Sequence, residues 1–159
     1  KMSANRCFDE IEYLNVDILG MKGKSRVITV PADIQKLWND VRVILRNPVI
    51  ARYELKEDIQ LGKKAGITAL CEYSLLSDNE YPTYAITKKE ITESGIRKMK
   101  QVHSGEEIGC VVLELGYFID FKNKKLEDPL SVTLSLTESE KQDERIGISI
   151  KRMLEEYVW

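Results

Sequence analysis

With 159 residues, 43% of them hydrophobic, the chain can bury one core of ordinary size and has little room for a second complete domain. Its net charge of −2 excludes a global attraction for nucleic acid, so any contact with DNA must be a local patch. Three distant cysteines, Cys7, Cys71 and Cys110, exclude a disulfide framework and a clustered zinc site and suit a reduced, cytoplasmic protein; apolar runs such as Val111 to Leu115 fall far short of the roughly 20 residues a membrane helix needs.

The first element is a predicted helix, in which Ala4, Cys7, Phe8, Ile11 and Leu14 recur at helical spacing while Ser3, Asn5 and Arg6 fall off the apolar stripe. Leu19 to Ile28 then reads as a hairpin marked by Gly20 and Gly23 and carrying Lys22, Lys24 and Arg26. A helix that starts with small or polar groups and runs into a basic hairpin has the pattern of a recognition helix and wing. The helix enters the major groove of DNA and the hairpin meets the phosphate backbone. Such a domain needs scaffold helices ahead of its recognition helix, and the sequence opens at Lys1 already beside it, so the pattern implies a piece of a longer protein. An ordinary surface helix is the alternative, with Ser3 as N-cap and Arg6 paired to Glu10. Residues 1–30 carry five basic and four acidic side chains, which leaves +1 there and −3 beyond.

Pro31-Ala32-Asp33 opens a predicted helix from Ile34 to Arg46, with Ile34, Leu37, Trp38, Val41, Ile44 and Leu45 as its apolar stripe, long enough to couple two parts of the chain or to form a dimer seam. Val49 to Leu55 has strand character, and Asp58 to Lys64 is polar enough for a loop. A helix over Ile67 to Leu76 would turn Ile67, Leu70, Cys71, Ser74 and Leu75 inward, and Ser77 to Glu80 has turn chemistry. Tyr81 to Thr87 reads as a strand, and Lys88 to Lys100 as a short helix or surface connection. From Gly109 to Phe121, Val111, Leu113, Leu115, Tyr117, Ile119 and Phe121 alternate on one strand face; Glu114, Gly116 and Asp120 lie on the other, where water or a partner would meet them. Leu130 to Leu136 is a second strand or a short helix, and a final helix runs from Asp143 to Tyr157 on Ile146, Ile150, Met153, Leu154 and Val158.

Few residues suggest chemistry. The single histidine, His103, stands in a polar stretch and reads as a surface residue, and no glycine-rich phosphate loop is present. Glu54-Leu55-Lys56 with Asp40 upstream matches the D…ExK arrangement of Mg²⁺-dependent nucleases, which requires both carboxylates to converge on the cation with the lysine beside the attacking water. Asp40 on the polar side of a helix opposes that convergence. Glu114, Asp120 and Asp128 read as solvated charges. Trp38 falls on an apolar helix face and reads as a core anchor, while Trp159 either docks on the body or reaches a partner.

The stretch from Met2 to Glu12, followed by Gly23-Lys24-Ser25-Arg26-Val27-Ile28, resembles the recognition helix and wing of bacterial MarR-like winged-helix regulators. The remainder resembles the C-terminal domain attached to such modules in bacterial regulators and antitoxin-like proteins. That likeness is carried by Leu37-Trp38 with Leu45-Arg46-Asn47-Pro48-Val49, by Ala65 to Leu76, by Tyr81 to Ile86, and by Asp128 to Leu136 with Asp143-Glu144-Arg145. The resemblance implies contact with double-stranded DNA through Ser3, Asn5 and Arg6 on base edges or phosphates and through Lys22, Lys24 and Arg26 on the backbone. It also implies a regulatory or partner-binding role for the rest, the partner being a second copy or a protein such as a toxin. It implies no catalytic residue, metal or cofactor. The expected fold is α+β, a mixed or antiparallel sheet packed by helices over residues 31–159, joined to a partial winged helix over residues 1–30.

Overall fold

The computed structural model describes residues 4–77 and 81–159, so Ser3 and most of the turn expected at 77–80 lie outside the described residues. The chain divides into two compact units, the first ending at Arg46 and the second spanning Asn47–Val158. The segment that follows the hairpin therefore groups with the first unit, whereas the sequence pattern divides the chain at residue 30.

In the first unit, helix α1 (Ala4–Tyr13) buries Ile11 and half-buries Cys7 and Phe8, three positions of the expected stripe, while Ala4 is exposed. It stops where Asn15 adopts a left-handed φ of 54°, a conformation asparagine tolerates at helix ends. Strands β1 (Leu19–Lys22) and β2 (Ser25–Ile28) pair antiparallel with Lys22 opposite Ser25. That register leaves Gly23-Lys24 as a two-residue turn, and Gly23 supplies the positive φ of 65° that tight hairpin turns favour. Helix α2 covers only Ile34–Val41, capped by Asp33, whose carboxylate accepts from the Lys36 amide at 2.7 Å. The expected continuation to Arg46 is replaced by turns, because Asn47 precedes Pro48 and is disfavoured in helical geometry. Trp38 is buried as expected, but Ile34 and Leu45 are exposed.

The second unit is built on strands β3 (Val49–Leu55), β4 (Lys63–Lys64), β5 (Thr83–Thr87) and β6 (Cys110–Leu115), in spatial order β3-β6-β5-β4. β6 pairs antiparallel with β3 and parallel with β5, and β4 pairs antiparallel with β5, so the sheet is mixed. Helices α3 (Gly66–Tyr73) and α4 (Lys88–Ser94) pack this sheet, α5 (Pro129–Ser135) and α7 (Glu144–Tyr157) pack on α3 and on each other, and the short α6 (Glu138–Lys141) packs on α7, so the fold is α+β. Leu55, Tyr84, Ile86, Cys110 and Val112 meet Ile91 of α4 and Ile96 of the following 3-10 turn in one cluster. Ala85, Val111, Leu113 and Leu115 form a second cluster with Ala65 at the head of α3. Among the described residues no helix is long and apolar enough to cross a membrane.

Two further expectations change. The alternation read through Phe121 stops at Leu115, and all six residues of β6 are buried, because a central strand flanked by β3 and β5 is covered on both faces. Glu114 consequently does not face water: it is 2% exposed. Of the two alternatives for residues 130–136 the helix is the one that forms, since Asp128 caps α5 through the Ser131 amide and Pro129 occupies the first turn, where its missing N–H is no loss. In α3 the inward face is Thr68, Ala69, Leu70 and Tyr73, and Leu75 lies beyond the helix, 81% exposed.

Candidate nucleic-acid interface

Helix α1 and the β1-β2 hairpin enclose an open groove of about 550 Å³ lined by Asn5, Phe8, Asp9, Lys24, Ser25 and Arg26. Of the six residues singled out by sequence, Asn5, Lys24 and Arg26 thus share one concavity, although about twenty residues of chain separate them. Lys22 ends β1, one step from the turn, and is exposed. Arg6 lies on the exposed side of α1, and its Nε donates to the Glu10 carboxylate at 3.1 Å. That is the pairing expected of an ordinary surface helix, and it occupies part of the guanidinium's donor capacity. Ser3 lies outside the described residues.

Arg26 differs from the two lysines. Its Nη1 donates to Asp9 at 2.7 Å, its Nη2 lies 3.9 Å from Glu12, and its guanidinium carbon sits 5.9 Å from the centroid of the Phe8 ring. The Asp9 hydrogen bond above all, with attraction to Asp9 and Glu12, raises its pKa further above the ordinary arginine value. The groove's charge is therefore mixed, with an ammonium at the hairpin tip and a guanidinium already held by carboxylates. No family model, curated protein or solved structure matches this chain.

The second unit carries two buried carboxylates, Glu114 and Glu127, that local sequence patterning does not reveal. Glu114 accepts from the Tyr53 hydroxyl at 3.0 Å and from Arg97 Nη2 at 3.1 Å, and Arg97 Nε also donates to the Tyr53 oxygen at 3.3 Å. Glu127, 1% exposed, accepts through Oε2 from the Gly66 amide at 3.2 Å and the Ser135 hydroxyl at 3.4 Å, while its Oε1 has no partner. Burial, reinforced by the charge of Asp128, pushes the Glu127 carboxyl up to about 7. Each carboxylate has one partner far away in sequence, Gly66 for Glu127 and Tyr53 for Glu114, each 61 residues distant, and local patterning carries no trace of them.

Each of the D…ExK residues has a partner within its own unit. Asp40 pairs with Lys36 on α2 at 3.5 Å, Glu54 accepts from Arg52 at 3.1 Å, and Lys56 is hydrogen-bonded to Glu106. Among the described residues no three His, Cys, Asp or Glu side chains are grouped to hold a metal ion.

Proposed function

We propose that the first unit binds double-stranded DNA as the recognition helix and wing of a transcriptional regulator, and that the second unit regulates it or binds a protein partner. The observation that carries this reading is the shared groove of Asn5, Lys24 and Arg26 between the start of a helix and the tip of a hairpin. An asparagine amide can pair with adenine in the major groove, and lysines near a hairpin tip can meet phosphates, so one concavity offers both kinds of contact. Two half-sites read by a homodimer are the expected arrangement for such a protein.

A second observation favours a protein partner for the other unit. Leu75 and Ile148, 81% and 63% exposed, line an open groove with Ile67, Leu76 and Arg152, and exposed apolar side chains clustered in this way suit protein contact. An antitoxin-like role would join that surface to the DNA-binding unit.

Selection of duplexes from a fragmented genomic library, with Mg²⁺ and without, tests the DNA reading. Recovery of a short, two-fold symmetric site, left uncut under both conditions, is the expected result. Lys22→Ala and Lys24→Ala should each lower the slope of log affinity against log salt by about one, without changing which sequence is preferred. No enrichment at any salt concentration would remove DNA binding, and cleavage that requires Mg²⁺ would restore the nuclease reading.

A further inference from the structure

We infer that Arg26 is a positioning residue, a latch that fixes the hairpin against α1 and so sets the groove between Asn5 and Lys24, rather than a direct contact to the phosphate backbone. The inference rests on the DNA-binding reading for its functional consequence, but the latch itself is a property of the free protein. Its three partners, Phe8, Asp9 and Glu12, all belong to α1, and Arg26 is the third residue after the hairpin turn's Gly23. One guanidinium therefore joins two elements through a 2.7 Å hydrogen bond, a second carboxylate at 3.9 Å and an aromatic ring at 5.9 Å. Such an arrangement fixes orientation as well as distance, because the planar fork and the ring face each admit few geometries.

Charge supports the same assignment. Arg26 together with Asp9 and Glu12 makes a cluster of net −1, so the group offers phosphate no net attraction while the latch is closed. Among the described residues Lys22 and Lys24 carry no such pairing, and they stand at the end of β1 and in the turn, so the hairpin's attraction for a polyanion comes from them. Asp9 and Glu12 of α1, which on a recognition helix would repel DNA, acquire a purpose as anchors for the hairpin.

Amide hydrogen exchange on the free full-length chain, paired with affinity for the duplex recovered by selection, or for a mixed-sequence 30-base-pair duplex at low salt if none is recovered, tests the latch. Arg26→Asp should speed exchange of the Leu19–Ile28 amides about three- to tenfold, the effect of losing a small ionic network and a ring contact. The charge-swapped pair Arg26→Asp with Asp9→Arg keeps the overall charge and should recover most of both the exchange protection and the affinity. Unchanged exchange in Arg26→Asp overturns the latch. Recovered exchange without recovered affinity also overturns the assignment, since Arg26 would then touch DNA directly. If the unsubstituted chain binds neither duplex, the DNA reading fails on its own, and the exchange data still decide whether Arg26 holds the hairpin.

Discussion

Glu127 sits in an environment that a carboxyl does not prefer. A carboxyl 1% exposed, with one oxygen unpartnered, is held up to about 7 by burial and by Asp128. The unfolded chain returns it to about 4.5. Below that lower value it is protonated in both states and its full contribution to stability is present. As pH rises toward 7 the unfolded chain ionises first, folding must take up a proton, and about 3 kcal/mol is lost by the time the folded carboxyl also ionises. Glu127→Gln keeps an acceptor for the Gly66 amide and removes the titration. Its stability relative to the unsubstituted chain, from urea unfolding, should therefore rise by about that amount between about pH 4.5 and pH 8. A pH-independent difference would mean that the carboxyl is solvated. Tyr53→Phe tests the other buried carboxylate: removing the hydroxyl that donates to Glu114 at 3.0 Å should cost about 1–2 kcal/mol. Neither environment was legible in the sequence. Glu114 reads there as a solvated charge because alternation reports only that neighbours point to opposite faces, not that helices cover both. The helix and hairpin that carry Asn5, Lys24 and Arg26 were legible because turn chemistry and helical spacing are local signals.

Elements followed the sequence wherever a local rule sufficed. Val49–Leu55 is a strand with the expected bounds, and the hairpin at Leu19–Ile28 forms with its turn at Gly23-Lys24. The expectation failed where a longer-range partner decided: β6 ends at Leu115 once β3 and β5 have no more residues to pair with it. Asp128-Pro129 was a readable helix start, an N-cap followed by a proline in the first turn, but the apolar, β-branched run after it matched a strand equally well. One loop-to-sheet contact makes a sharp test of the β4-β5 pairing. Gly62 has φ +78°, and a Cβ there would stand 2.3 Å from the Ala85 carbonyl oxygen and 2.3 Å from Ile86 Cγ2. The backbone oxygen cannot move aside without disturbing β5, so Gly62→Ala should lose more than about 1 kcal/mol in denaturant unfolding. A neutral substitution would show that this loop does not approach the sheet so closely.

Composition alone suggested one core, yet the chain contains two compact units with unequal interiors. In the first, the buried apolar residues among those described are Ile11, Ile18 and Trp38, whereas two clusters spread through the sheet and its helices support the second. An interior that small contributes little against the chain entropy of folding, and a unit of this length is marginal by itself. The distribution of chromophores makes the imbalance measurable. Trp38 and Trp159, the only two tryptophans, both group with the first unit, while helices α3 to α7 lie in the second. Tryptophan emission therefore follows the first unit in denaturant, and far-ultraviolet circular dichroism follows mainly the second. The emission transition should come at lower denaturant than the dichroism transition; coincident curves would mean that the units unfold as one. Because a ligand stabilises only the folded state that binds it, the selected duplex should move the emission transition upward and leave the dichroism transition in place, which locates DNA binding in the first unit independently of any substitution.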